Sequence, residues 1–287
     1  MTGNAADADD LVQETFVRAL QHPPGRDDQP LRPWLIRVAI NLSRDLLRKR
    51  KRRSYAGEWL PSPVRTEQLE NPASYEPLAP SEESPAARYD LLESVSFAFL
   101  LAIEALTPNQ RAVLLLRDVF DYSTTETAEA LGLSDPNVKV LLLRARRKMA
   151  GYDTRRCIPN PSRNGAARRA LEMFLSCLSR GDTEGLERLF AEDAVSISDG
   201  GGEVKAAMRT VRGRQNVLKL IWGLTRKYVT IQPSWLSING APAVAIDLGP
   251  QAPGYASKFI MRCELDDEGR ITELEVVLAP SKLTAVR

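Results

Sequence analysis

Apolar residues recur every three or four positions through the first half of the chain and at alternate positions near its end. Leu11, Phe16 and Leu20, with Val12 and Ala19 beside them, mark one face of a helix predicted over about 6–20. Asp7, Asp9 and Asp10 sit in its first turn, where negative charge complements the helix dipole. Trp34, Leu35, Val38, Leu42, Asp45 and Leu46 trace a second helix over about 32–53, which ends in a basic run. Residues 56–87 are rich in Pro, Ser and Glu, lack a sustained period and read as an extended linker. Trp59-Leu60-Pro61 is an apolar knot within it, so that piece is expected to dock on something.

Helical patterning resumes near Arg88 and includes Thr107-Pro108, an N-cap followed by proline at the first helical position. Tyr122 to Met149 then reads as two helices joined by a tight turn. Ser123 and Glu126 form an S-x-x-E capping box, and Gly132 stands where the chain must turn through positive φ. Ala128, Leu131 and Leu133 are the apolar contacts of the first helix, whereas Val138, Leu142, Ala145 and Met149 form the inner stripe of the second. Asn137, Lys139, Arg144, Arg147 and Lys148 fall largely on its other side. Such a helix-turn-helix places its second helix in the DNA major groove, although an αα-hairpin with a solvated basic face has the same pattern.

The last third changes character. Helices are predicted over about 166–179, 182–190 and 213–228. AVSISDGGGEV reads as a strand ending in a glycine turn, and TIQPSWLSIN, PAVAIDLG, YASKFIMRCEL and RITELEVVLA read as strands. Asp266 to Gly269 is a hairpin signal between the last two. Helices followed by antiparallel strands indicate an α+β domain.

The 287 residues suffice for two or three small domains. The net charge of +2 hides segregation, because RDLLRKRKRR (44–53) and 144–156 are basic while the N-terminus is acidic. Cys157, Cys177 and Cys263 lie outside any metal or disulfide spacing and are expected to be reduced thiols. With no apolar run near the ~20 residues a bilayer requires and no signal peptide, the expectation is a cytoplasmic protein without a membrane partner, metal or cofactor.

These segments resemble a known family. DADDLVQETFVRAL is similar to the region 2 helix of sigma-70-type factors that docks on RNA polymerase, and WLIRVAINLSRDLLRKRKRR to the next helix, which meets the promoter −10 element. LTPNQRAVLLLRDVFDYSTTETAEALGLSDPNVKVLLLRARRKM resembles region 4, which reads the −35 element. Two such regions with a short linker match the extracytoplasmic-function (ECF) sigma factors. The C-terminal third resembles the SnoaL-like branch of the NTF2-like fold, cone-shaped around a pocket. In the ECF subgroup that carries this extension, WLPEP-like, DGGGK-like and NPDKL-like motifs occur. Here they stand as Trp59-Leu60-Pro61-Ser62-Pro63, Asp199-Gly200-Gly201-Gly202-Glu203 and Ala279-Pro280-Ser281-Lys282-Leu283. Glu203 replaces the Lys of the second motif, and the third is weakened at Ala279-Pro280. By the family pattern the chain begins inside region 2, one helix short.

The resemblance implies two all-α sigma domains and an α+β SnoaL/NTF2-like domain, divided as region 2 (1–55), linker (56–87), region 4 (88–152), linker (153–165) and SnoaL-like domain (166–287). It implies RNA polymerase core contacts at Asp10, Gln13 and Glu14, and −10 contacts at Trp34, Arg37, Asn41, Arg44, Arg48, Lys49 and Arg50, with the loop 21–31 at the base-capture position. The −35 candidates are Asn137, Lys139, Val140, Arg144 and Arg147. Regulation within the chain is expected from Trp59, Leu60, Pro61 and Pro63 docking near Asp199, Gly200, Gly201 and Gly202, with Lys282 and Leu283 taking part. A small ligand in the C-terminal pocket is a further partner that the fold allows. Catalysis would require a positioned acid–base pair, but His22 lies far upstream and no spacing pairs Asp193, Asp199 and Asp247, so an enzyme is not expected. The competing reading is a SnoaL-like pocket enzyme or ligand sensor fused to a generic DNA-binding module.

Overall fold

The computed structural model describes residues 1–22, 31–50, 57–66, 88–89, 91–154, 160–225 and 232–286. Residues 23–30 of the loop expected at the base-capture position, basic residues 51–53, Cys157 and the Arg50 side chain lie outside the described residues. The chain forms two compact units, Met1–Ser54 with Pro72–Ile158, and Tyr55–Asn71 with Pro159–Arg287.

The first unit is helical: α1 (Ala5–Gln21), α2 (Leu31–Arg50), α3 (Leu91–Ser94), α4 (Phe97–Glu104), α5 (Pro108–Asp118), α6 (Thr124–Leu131) and α7 (Asp135–Thr154). Local chemistry fixes the ends. Asn4 caps α1, and the capping boxes Thr107/Gln110 and Ser123/Glu126 start α5 and α6. Gly132 ends α6 at φ +63°, which lets α7 start three residues later. α7 packs on α5 and α6, burying Val138, Ala145 and Met149. Tyr89, Phe99, Ile103, Leu114 and Met149 form one apolar cluster. Ile40 of α2 joins Ala112, Val113, Leu116, Ala128, Leu131 and Val138 in another.

Two faces differ from the sequence reading. On α1, Phe16 and Leu20 are exposed, and the buried residues are Ala5 and Thr15, whose hydroxyl bonds back to the Leu11 carbonyl at 2.6 Å. On α2, the buried stripe is Ile40, Ser43 and Leu47, whereas Leu35, Val38, Leu42 and Leu46 are half-buried. The reason is that α2 packs against α1 and also against α5 and α6, so it carries two apolar stripes.

The second unit contains α8 (Pro161–Arg180), α9 (Thr183–Leu189), β1 (Phe190–Asp199), β2 (Val211–Arg212), α10 (Arg214–Thr225), β3 (Gln232–Ile238), β4 (Ala241–Asp247), β5 (Lys258–Leu265) and β6 (Ile271–Val277). Two 3-10 turns, Pro280–Lys282 and Thr284–Val286, follow. The sheet order is β2-β1-β6-β5-β4-β3, parallel between β1 and β6 and antiparallel elsewhere. Leu171 and Phe174 of α8, Leu186 of α9 and Val217 and Ile221 of α10 pack on Val244, Ile246, Met261, Cys263 and Leu274 of the sheet. This is an α+β arrangement, with the helices packed on the sheet. Burial pushes the Cys263 thiol up to about 12, so it is an unreactive core side chain.

Both linkers shrink relative to the sequence reading. Asn160 accepts from the Arg163 N–H at 2.9 Å and Pro161 opens α8, so the helix starts well before the Ala166 expected from its apolar stripe. Residues 57–66 belong to the second unit, and 64–66 extend its sheet: Arg65 bridges Ile238 antiparallel, and the Thr66 N–H donates to the Ser237 carbonyl at 3.0 Å. That segment covers the edge of β3, which would otherwise offer unpaired backbone groups.

Side chains alternate across the sheet, so β5 and β6 turn charge away from the helices. Arg262 stands opposite Glu275, and Glu264 opposite Glu273. The buried Arg262 guanidinium bonds to both Glu275 and Glu264. Burial raises Glu275 to about 8, opposed by Arg262 and reinforced by Glu273 and Glu264. A folded pKa above the unfolded one means that this group favours folding below about pH 4.5, an advantage lost as pH rises to about 8. The slope is bounded by one proton, about 1.4 kcal/mol per pH unit. Glu275→Gln should therefore flatten the unfolding free energy of this unit between pH 5 and 8; an unchanged slope in urea titrations would exclude Glu275 as its source.

Candidate functional site

The clearest site lies within the second unit, where the three sequence motifs converge. Asp199 ends β1 and is fully buried, as are Leu60 and, to within 2% exposure, Lys282. One oxygen of Asp199, Oδ2, accepts from the Leu60 backbone N–H at 2.7 Å and from Lys282 Nζ at 2.6 Å. The other, Oδ1, accepts from the Gly201 N–H at 2.9 Å. Lys282 Nζ also donates to the Leu60 carbonyl and lies 4.5 Å from the centre of the Trp59 ring, a cation–π contact. A buried carboxylate and a buried ammonium thus hold both backbone polar groups of Leu60. Pro61, Ser62 and Pro63 are buried beside it.

The glycines have separate roles here. A Cβ on Gly200 would lie 2.5 Å from the Val204 carbonyl oxygen and 2.9 Å from the Ala206 Cβ, while Gly201 and Gly202 take positive φ. The departure at Glu203 meets a compensating partner, because its carboxylate accepts from the Ser281 N–H at 3.2 Å and from the Ser281 hydroxyl. The second and third motifs are therefore joined at two points, Asp199–Lys282 and Glu203–Ser281. Leu283 is buried at the next position.

Further anchors were not legible as motifs. Glu58 accepts from the Thr210 N–H and hydroxyl, each at 3.0 Å. Asn239 accepts from the Val64 N–H at 2.9 Å, and the Gly240 N–H donates to the Thr66 hydroxyl at 2.9 Å. The Asn239-Gly240 pair signals a hairpin turn in sequence, but nothing local shows that its side chain reaches residue 64.

In the first unit, Asp10, Gln13 and Glu14 are exposed on α1, and Glu14 pairs with Arg18 at 2.8 Å. On α2, Arg37, Arg48 and Lys49 are exposed, with Arg48 bonded to Asp45 at 3.1 Å, and Trp34 is half-buried. Asn41 and Arg44 are half-buried and bonded within the unit. Arg44 donates to Asn109 Oδ1 and Asn41 Oδ1, each at 2.9 Å, and to the Leu131 carbonyl at 3.3 Å. Burial, together with Arg48, holds its pKa below the usual arginine value. The end of α6 and the start of α5 supply acceptors to this guanidinium, so in this arrangement α2 spends it within the unit. Asn137, Lys139, Val140, Arg144 and Arg147 are all exposed on α7. Arg146, one position away from Arg147, instead grips the buried Asp118 with two bonds of 2.9 and 2.6 Å.

The catalytic candidates are not brought together. Asp199 is committed to the strap contact, Asp193 is exposed, and Asp247 is exposed and caps the Gly249 N–H at 2.8 Å. No helix among the described residues is long and apolar enough to cross a membrane.

Comparison with known proteins agrees with this organisation. Residues 1–53 match Sigma-70 region 2 and residues 96–149 match Sigma-70, region 4. A chain with both regions is of the sigma-70 class, whose members carry RNA polymerase core to promoter DNA. The ECF RNA polymerase sigma factor SigJ of Mycobacterium tuberculosis (strain ATCC 25618 / H37Rv) is 30% identical over 257 residues, 88% of this chain and 76% of that protein. SigG of the same strain is 32% identical over 261 residues, covering 86% and 68%. The crystal structure of M. tuberculosis SigJ superposes with a TM-score of 0.69 at 27% identity, covering 99% of this chain and 92% of that one. The chain belongs to the ECF RNA polymerase sigma factors, and its function is promoter-directed transcription initiation.

Proposed function

We propose that the C-terminal unit regulates this sigma factor from within the same chain by holding the linker at the Asp199–Lys282 clasp. The observation that carries the reading is the pair of bonds from Leu60 to a buried carboxylate and a buried ammonium. A linker anchored there is divided. The stretch from Arg50 to Glu58 reaches at most about 28 Å at ~3.5 Å per residue, far less than the whole connection to Arg88 allows. A compact first unit, in which Arg44 bonds to α5, to α6 and to Asn41 of its own helix, is the restrained state. Polymerase favours the extended state and shifts the population toward it. A small ligand would act on the same equilibrium; the surface groove lined by Leu178, Gln215, Lys219 and Trp222 is one place for it.

In this reading Asp10, Gln13 and Glu14 meet the polymerase. Trp34, Arg37, Asn41, Arg44, Arg48 and Lys49 serve the −10 side, and Asn137, Lys139, Val140, Arg144 and Arg147 the −35 side. Arg144 and Arg147 are exposed and suited to phosphates, so the doubly substituted Arg144→Ala/Arg147→Ala holoenzyme should bind promoter more weakly. Its slope of log affinity against log salt should shrink by about 2. A salt slope equal to that of the wild type would remove these residues from the interface.

Regulation is tested with Leu60→Asp, which places a charge at a fully buried position, and with truncation from about Pro161. Fluorescent labels on α2 and α7 should move apart, and run-off transcription at limiting polymerase should rise in both variants. If neither separation nor output responds, the C-terminal unit is not a regulator.

A further inference from the structure

The recognition helix has an apolar apex. At about 100° per residue, Val140 lies 140–180° around the helix from Val138, Ala145 and Met149, the residues that α7 buries. Val140 therefore lies on the outer line of the helix, which it shares with Arg147. It is 45% exposed, and Leu143, one turn on, is 52% exposed. Asn137 and Arg144 flank Val140 on one side at i−3 and i+4, and Arg147, at i+7, lies two turns on from Val140 itself. A β-branched residue at an exposed helical position gains no burial and lowers helix propensity. Its stiff side chain is, however, a well-defined apolar contact. The helix entrance is also fixed: Thr125 of α6 donates to Asp135 at 3.0 Å, which ties the first turn of α7 to its neighbour.

Resting on the reading that α7 enters the −35 major groove, we propose that Val140 reads the 5-methyl group of a thymine there, with Leu143 extending the apolar contact and Asn137 and Arg144 bonding to flanking bases or phosphates. Within the major groove, the thymine methyl is the one apolar feature that distinguishes a base pair, and Asn pairs well with adenine edges. The cations beside the apex, Lys139, Arg144 and Arg147, complement DNA and argue against an apolar protein as the occupant. The −35 element is thereby assigned a T·A step under the helix centre, where a helix with a polar apex would select otherwise.

The test separates the methyl group from every other feature of the base. A −35 duplex is selected from a randomised library by the wild-type holoenzyme, and each thymine on either strand is replaced in turn by deoxyuridine, which removes only the methyl. At one or two adjacent positions the replacement should weaken wild-type binding about threefold to tenfold. Val140→Ala should bind the thymine duplex correspondingly less well and show no further loss with deoxyuridine at that position. Val140 is surface-exposed, and equal thermal midpoints of the two proteins confirm that the variant folds. A selected element without a fixed thymine, or a deoxyuridine penalty that is the same in Val140→Ala, overturns the inference. So does a Val140→Ala defect already present in DNA-free binding to core polymerase, which would make the strip a protein contact. Asn137→Ala and Arg144→Ala are measured alongside. If they weaken promoter binding while no methyl coupling exists, the −35 role of α7 stands and only this inference fails; if none of the three matters, the role itself fails.

Discussion

Replacing Asp199 by alanine should lower the unfolding free energy of the C-terminal unit by about 3–5 kcal/mol, the usual result of stripping one partner from a buried ion pair. The carboxylate is fully buried and accepts from Leu60 N–H, Lys282 Nζ and Gly201 N–H. Without it, an ammonium with 2% exposure stays in the interior and the Leu60 amide loses its acceptor. Most of the cost is that stranded charge. Adding Lys282→Met to the alanine variant should therefore restore much of the stability, because an apolar pair of similar volume needs no desolvation. The strap should still be loosened in the double variant, since Leu60 has lost both partners. Urea unfolding reads the first effect and hydrogen exchange at the Leu60 amide the second. A single variant that costs less than about 1 kcal/mol, with Leu60 still protected, would show that the clasp is not what anchors the linker.

Gly200→Ala should be the next most damaging change, at about 1–3 kcal/mol for forced overpacking. Its Cβ would come within 2.5 Å of the Val204 carbonyl oxygen, a backbone atom that cannot rotate away. Relief requires the turn from Gly200 to Val204 to open, which displaces Asp199 and Glu203 together and breaks both links to the last motif. The substitution should therefore expose the Leu60 amide and raise promoter output at limiting polymerase, as Leu60→Asp does. Gly223→Ala in α10 is the matched control. Nothing lies within 4 Å of a Cβ there, so the change should be neutral or stabilise by up to about 1 kcal/mol. Equal effects at the two glycines would mean that close approach at Gly200 is not what shapes the turn.

The departures from the family motifs acquire a physical meaning together. Glu203 looks like a loss of the motif's lysine when read alone. Beside Ser281 it accepts two bonds, from the backbone N–H and from the hydroxyl, and these link the glycine turn to the final motif. No rule of periodicity or spacing relates residues 203 and 281, so the sequence shows only that the motif's lysine has been replaced.

Much was legible from the sequence because the responsible forces act locally. The N-cap at Thr107, the capping box at Ser123, positive φ at Gly132, the inner stripe of Val138, Ala145 and Met149, and the Asp266–Gly269 turn each depend on residues within one or two turns of chain. The family resemblance located the three motifs and the expected docking of Trp59 near Asp199. The misread faces of α1 and α2 and the early start of α8 mark where that approach stops. A helix with two neighbours needs two apolar stripes, and a single-period reading of α2 finds only one.

The sequence by itself thus determined the helical modules, the α+β character of the C-terminal third and the family, since propensity, capping and pattern are written into neighbouring residues. Only the tertiary structure decided that Lys282 and Leu60 share one carboxylate, that Arg44 is occupied by α5 and α6, and that Arg262 is enclosed by glutamates. Those outcomes join residues 65 to 222 positions apart or facing across a sheet, and which buried charge finds which partner is fixed by the fold that excludes water around them.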